Sequence, residues 1–231
     1  MRESSTRTDA TNSGLTQGWL VLAAWPPELA FLRKRLPDLP VRVRKRLTLA
    51  TTGVGMVEAG IAAARLIDQH QPAAVLLVGT AGVYPGQSGS FTIGCAVVAR
   101  RIALLPKILP GKHDFLPAVV PTEARSTPAL ARIVRKASGL EFADVACPLG
   151  ITATAKAASS AAALSGCALE NLEAFAVARA AATAKVPFAA ILGIANRVGP
   201  SGHKEWQAHA KAAAESACLA VLATALATAP T

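Results

Sequence analysis

The chain has 231 residues, 52% of them hydrophobic and 16% charged, with a formal net charge of +10. That composition excludes a disordered or fibrous chain, and the length suits one large α/β domain around a single core. The polar opening MRESSTRTDATNSG lacks the apolar centre of a secretion signal, and no apolar run reaches the roughly 20 residues expected of a membrane-spanning helix.

Residues 1–16 read as a disordered tail ahead of a domain over 17–231. GWLVLAA (18–24) is a short apolar run and predicts a first strand. PPELAFLRKRL follows, with prolines suited to a helix start and Glu28 in the first turn. RKRLPDLPVRVRKR (33–46) holds seven basic residues but has no interleaved aromatics, and prolines break it. It reads as a solvated helix end and strand in preference to a nucleic-acid surface. VRVRKRLTLATTG (41–53) predicts one or two strands, Gly53-Val54-Gly55 a turn, and MVEAGIAAARLIDQH (56–70) a helix.

PAAVLLVGTAG (72–82) predicts a buried strand ending in a turn of small residues, and CAVVARRIALL a further strand. PTEARSTPALARIVRKAS contains a turn and a helix, CPLGITATA reads as a strand, and 156–164 as a short helix or loop. ALENLEAFAVARAAATAKV (168–186) reads as one long helix, and PFAAILGIANRVG (187–199) as a buried strand running into a loop. The last helix begins near His203 and continues through ACLAVLATALATA as a buried C-terminal helix. Strands alternating with helices predict an α/β fold with a largely parallel sheet covered on both faces.

Cysteines at 95, 147, 167 and 218 have no CxxC spacing, so neither a zinc site nor a dithiol is indicated. Reduced core cysteines point to the cytoplasm. His203 and His209 lie six apart, on different helix faces, which does not suit a metal pair, and no GxSxG occurs.

Sites in such sheets form at the carboxyl ends of strands. Glu28, Gly53–Gly55, Gly79-Thr80-Ala81-Gly82 and Asn196-Arg197 all fall at such ends or at the following helix starts. Gly53-Val54-Gly55 is half of a dinucleotide fingerprint, but the next glycine is at 60, one place too far, so a tight turn is the better reading. The small residues at 79–82 let a ligand approach the backbone. Glu170 and Glu173 are three apart in an apolar run, so a helix would carry them near one side, facing solvent or poised in a pocket. A buried unpaired carboxylate costs several kcal/mol, which stability alone seldom selects.

Taken in order, these segments resemble the nucleoside phosphorylase and nucleosidase superfamily over most of 18–215. LVLAAWPPELAFL resembles its first strand and the turn bearing a catalytic glutamate. TTGVGMVEAGIAAARLI resembles its GVG turn and helix, LLVGTAGVYPG its glycine-rich strand end, ENLEAFAVA its ribose-binding segment, and PFAAILGIANRVGP the strand ending at the base. Glu170-Asn171-Leu172-Glu173, the AGVYPG turn, and Asn196 with Val198-Gly199 and Trp206 are most similar to its futalosine hydrolase branch, since the methylthioadenosine/S-adenosylhomocysteine nucleosidases carry aspartate at the Asn196 position.

The resemblance implies a single-domain phosphorylase/nucleosidase-type fold with a mixed, largely parallel central sheet, and a homodimer. It implies that Glu28 activates water, Glu173 accepts hydrogen bonds from ribose hydroxyls, Leu172 lies beside ribose and base, and Thr80, Ala81 and Gly82 line the sugar pocket. Asn196 would face N7 of a purine. It gives Glu170 no role, leaving a surface or network residue. No metal or organic cofactor is implied, and the partners are a purine nucleoside and a second copy of the chain, with no membrane or nucleic acid. The chemistry fits these residue types. Cleaving the N-glycosidic bond puts positive charge on ribose, which a carboxylate stabilises, while a second carboxylate takes the proton of the attacking water. Asparagine cannot supply a proton by ionising, but it can donate to N7 or to the carbonyl of a 6-oxopurine such as hypoxanthine.

The chain departs from the pattern in Ala174 for glycine, Ala195 for serine, and an altered 99–115 stretch. These departures keep three alternatives open: a methylthioadenosine/S-adenosylhomocysteine-type nucleosidase, a phosphorylase, and a catalytically weak nucleoside-binding relative.

Overall fold

The computed structural model describes residues 18–87, 91–105 and 117–229. The tail expected over 1–16 and residues 106–115 of the altered stretch lie outside the described residues. Three parallel strands form one side of the sheet: β1 (Trp19–Ala23), β2 (Leu47–Thr51) and β3 (Ala74–Val83). β4 (Ala96–Leu105) pairs with a short antiparallel edge strand, β5 (Glu123–Arg125), and with β6 (Glu141–Pro148). β7 (Leu169–Glu170) bridges β6 and β3, and β8 (Phe188–Arg197) runs parallel to β3 and antiparallel to β4. The circuit β3–β7–β6–β4–β8 therefore closes on itself. The sheet is mixed, largely parallel and flanked by helices, as expected.

Both faces of β1 are covered, which explains its unbroken apolar run. Leu20 and Leu22 enter one core layer with α3 (Met56–His70) and α6 (Ala174–Thr183). Trp19, Val21 and Ala23 enter the other, against α1 (Ala30–Arg35), α4 (Pro128–Ser138) and α7 (Gly202–Ala227). α5 (Ala155–Ser165) packs on a small third layer.

Three of the predicted elements need correction. Residues 41–44 form a helical turn, α2 (Val41–Arg44), which starts after Pro40, and the strand begins only at Leu47. The basic side chains of Arg33, Lys34, Arg35, Arg42, Arg44 and Lys45 are exposed there. The 168–186 segment is not one helix: Leu169–Glu170 is strand, 171–173 is a loop, and α6 starts at Ala174. In CPLGITATA only Cys147 and Pro148 belong to a strand, the end of β6.

α7 is 26 residues long, and its length and composition would suffice to cross a membrane, contrary to the reading of its apolar run as too short. Half of its most apolar window is buried inside the protein, where it packs on β8, β3 and α4. At the β8 crossing, a Cβ on Gly193 would collide with the backbone of Ala213, so only glycine permits this approach.

Candidate active site

A cavity of about 330 Å³ opens at the carboxyl ends of β1, β3 and β8, against β7 and the start of α7. Glu28, Thr80, Ala81, Gly82, Leu172, Glu173 and Asn196 all line it. The structure thus brings together the seven residues to which the resemblance gave a role, while Gly53, Gly55, Gly79 and Arg197 lie outside the lining.

Glu28 sits in the 3-10 turn Pro26–Leu29 that follows β1. The prolines pre-set the turn, and the Glu28 side chain folds back so that Oε2 accepts from Ala24 N (3.1 Å) and Trp25 N (3.3 Å). Oε1 accepts from Thr80 N (3.1 Å) and Thr80 Oγ1 (3.3 Å). Gly79 lies against this contact, 3.4 Å from Oε1 at the position a Cβ would take. Burial, and after it the negative charge of Glu173, push the Glu28 carboxyl up to about 7 against the pull of its backbone donors.

Glu173 is buried between the GVG turn and the 171–173 loop. Its Oε1 accepts from Gly55 N at 2.8 Å and its Oε2 from Asn171 Nδ2 at 3.0 Å. Gly53 (φ 89°) and Gly55 (φ 90°) are left-handed, a conformation that only glycine adopts freely, and the Gly55 N–H is aimed at the Glu173 carboxylate. Burial raises the Glu173 carboxyl above its usual range, opposed by the Gly55 and Asn171 donors.

Glu170 is not on the surface. It is buried in β7, with Oε2 accepting from Tyr84 Oη (2.8 Å) and Oε1 from Thr152 N (3.0 Å). It reaches the cavity wall beside Ile151. It is therefore the network residue of the two options the sequence left.

The register of β3 against β8 shifts between Ala81 and Gly82, setting Gly82 opposite Asn196. A Cβ on Gly82 would lie 2.7 Å from Val198 Cγ2 and 2.9 Å from Asn196 Nδ2. Asn196 Nδ2 donates to Arg197 O at 2.9 Å, which commits one of its two hydrogens. The loop beyond it is fixed by Arg197, whose backbone N (2.8 Å) and Nη2 (2.8 Å) both donate to Glu205. That pairing pulls the Glu205 carboxyl down to about 2.

Sequence reasoning named Trp206 only as a mark of the resemblance and missed the aromatic wall it forms with Trp25 and His203. Trp25 and Trp206 ring centroids lie 6.0 Å apart, and His203 stacks on Trp206 at 6.1 Å. All three line the cavity, with Val54 and Ile151. The signal was present in Trp25, directly before the Pro-Pro-Glu turn, and in the i, i+3 spacing of His203 and Trp206. Among the described residues, no group of three His, Cys, Asp or Glu could hold a metal ion.

Residues 20–226 match the sequence model of the phosphorylase superfamily. This chain belongs to that superfamily. It is therefore a member of an enzyme superfamily of phosphorylases and nucleosidases. No curated protein sequence matches it significantly. Among solved structures, futalosine hydrolase of Helicobacter pylori strain 26695 superposes with a TM-score of 0.80 at 14% identity, over 91% of this chain and 97% of that one. A 5′-methylthioadenosine/S-adenosylhomocysteine nucleosidase from Colwellia psychrerythraea 34H, in complex with adenine, gives 0.79 at 20% identity, over 93% and 96%. The nucleosidase from Neisseria meningitidis, in complex with methylthio-immucillin-A, gives 0.79 at 17%, over 91% and 98%. At these identities the likeness shows a shared fold.

Proposed function

We propose that the protein is a purine-nucleoside N-ribosyl hydrolase that acts on futalosine and releases hypoxanthine, as required in menaquinone biosynthesis. The charge of the cavity carries the choice of hydrolysis. Its wall holds three carboxylates, Glu28, Glu170 and Glu173, and no lysine or arginine among its described residues. A phosphate dianion entering as nucleophile would meet like charge in a partly desolvated site, whereas a neutral water would not.

In this reading Glu28 takes the proton of the attacking water. A base with a pKa of about 7 is matched to neutral pH and contributes about 10²–10⁴-fold. Glu173 accepts from the ribose hydroxyls and stabilises the cationic sugar. Leu172 packs beside sugar and base, and Thr80, Ala81 and Gly82 form the floor of the sugar pocket. Asn196 keeps one Nδ2 hydrogen for the departing base. An amide in that position, where no proton can be supplied by ionisation, supports a 6-oxopurine leaving group.

The fold-related nucleosidases support the hydrolase class, and one of them is a futalosine hydrolase. The same reading includes a homodimer, supported by exposed Val57 and Ile61 one turn apart on α3, beside Val54 at the cavity mouth. It places the enzyme in the cytoplasm, supported by the free thiols of Cys147, Cys167 and Cys218 buried in the core.

The test is product analysis with futalosine, inosine and methylthioadenosine, with and without phosphate. Hypoxanthine released from futalosine without phosphate, and lost in Glu28→Gln, is the expected result. Adenine from methylthioadenosine alone would move the assignment to the sister nucleosidases. Turnover that requires phosphate would make the enzyme a phosphorylase, and no turnover of any nucleoside would leave a binding protein.

A further inference from the structure

Trp206 lies on α7, far in sequence from Glu28, yet one hydroxyl connects them. The Trp206 indole Nε1 donates to Thr80 Oγ1 at 3.1 Å, and the same Oγ1 stands 3.3 Å from Glu28 Oε1. An indole N–H can only donate, so Thr80 Oγ1 is its acceptor. A hydroxyl carries a single hydrogen, and an ionised carboxylate can only accept. The Thr80 hydrogen is therefore directed at Glu28. With Trp206 in place, every donor around the carboxylate is satisfied by its charged form: Ala24 N, Trp25 N, Thr80 N and Thr80 Oγ1.

We propose that Trp206 is a positioning residue for Glu28, acting through the Thr80 hydroxyl to hold the carboxylate ready to receive a proton. Protonating Glu28 on Oε1 requires the Thr80 hydrogen to turn away, while the indole N–H still occupies one of that hydroxyl's two lone pairs. Removing the indole N–H frees the hydroxyl to rotate and accept from the protonated acid, so the neutral form gains.

The other ionisable groups around Glu28 are Glu173 in the 171–173 loop, Glu170 on β7, and His203 and Cys218 on α7, the last donating from Sγ to the Glu28 carbonyl at 3.2 Å. None of these residues is replaced by the substitution below, and phenylalanine at 206 keeps a ring against His203. The inference rests on the reading of Glu28 as the base, but its test does not require turnover.

The measurement is the titration of the Glu28 carboxyl, followed by 13C NMR in glutamate-labelled protein and assigned by its loss in Glu28→Gln. Trp206→Phe keeps an aromatic ring and loses the N–H. It is expected to raise the Glu28 midpoint by about half a pH unit, as befits the loss of one modest hydrogen bond. In a Thr80→Val background, where the relay is already broken, the same substitution is expected to add nothing. Thr80→Ser keeps the hydroxyl and is expected to titrate like the parent. No shift in Trp206→Phe, or an equal shift in the Thr80→Val background, would overturn the relay. If the midpoints move as expected but no variant hydrolyses any nucleoside, the relay stands and the proposed function fails. If turnover is present, the acid limb of kcat/KM is expected to move with the NMR midpoint.

Discussion

Asn171 and Glu173, two residues apart in the chain, hold each other through two hydrogen bonds. Asn171 Oδ1 accepts from the backbone N–H of Glu173 (3.0 Å) and of Ala174 (2.8 Å), while Nδ2 donates to Glu173 Oε2 (3.0 Å) and to Thr80 O (3.0 Å). Asn171 thus supplies the acceptor that the first turn of α6 needs and fixes the carboxylate that faces the cavity. Replacing it by alanine is expected to lower stability by about 1–3 kcal/mol through the unmet buried donors. Substrate affinity should also weaken, because Glu173 loses its lateral support. Urea melts and KM for the nucleoside check both. A variant with unchanged stability would mean that water replaces the amide.

The raised carboxyl of Glu28 makes stability depend on pH in a stated direction. Its folded value is about 7 against an ordinary 4.5, so between those limits the folded protein holds a proton that the unfolded chain has released. Stability therefore falls as pH rises through that window, by up to about 3 kcal/mol, and levels off above it. Burial of Glu173 acts in the same direction. Glu28→Gln has no such titration. Its stability relative to the parent is expected to improve between pH 5 and pH 8 in denaturant titrations. An offset identical at both pH values would show that Glu28 ionises normally in the folded state.

Gly82→Ala places a methyl group within 2.7 Å of Val198 Cγ2 and 2.9 Å of Asn196 Nδ2. Both obstacles are side-chain atoms, so the sheet is expected to survive while Asn196 is pushed from its position. A displacement of about 1 Å at a reacting group can cost about 10²-fold. Base release is expected to fall by that order with little change in melting temperature, read by hypoxanthine formation and circular dichroism on the same sample.

Tyr84→Phe removes the donor to Glu170 Oε2 in a site where the tyrosine is fully buried. The stranded carboxylate oxygen should cost about 1–3 kcal/mol. Because Oε1 of the same carboxylate holds Thr152 N, the loop bearing the exposed side chains Leu149 and Ile151 should loosen as well. Faster limited proteolysis within 149–153, at a temperature where both proteins are folded, is the expected sign.

The strands that build the cavity floor were legible because burial on both faces writes itself as a continuous apolar run, as in VLLVGTAG and FAAILGIAN. The convergence of Glu28, Thr80 and Asn196 was legible as well, since parallel strands deliver their carboxyl ends to one edge. What escaped was decided by contacts distant in sequence. β7 has two residues with no period to detect, and LENLEAFAVARA is a good helix sequence throughout, so only pairing with β3 and β6 makes Leu169–Glu170 extended. VRVR alternates like a strand, but a turn starting after Pro40 makes it helical. Trp25, His203 and Trp206 converge only because α7 folds back over the first turn.

The closed circuit of strands places Gly82 between two neighbours at once, opposite Glu170 on β7 and opposite Asn196 on β8. Adjacent strands stand about 4.8 Å apart, and a ring leaves none of them a free edge along which to slide. The circuit therefore works as a ruler. The separation of Glu170 from Asn196 across Gly82 is fixed by strand spacing, and the 171–173 loop, pinned by Asn171, only adds Glu173 to that frame. Descendants of this chain can change what projects past Trp25 and Ile151 by altering loops, but the distance measured across β7, β3 and β8 can change only if the ring itself is rebuilt.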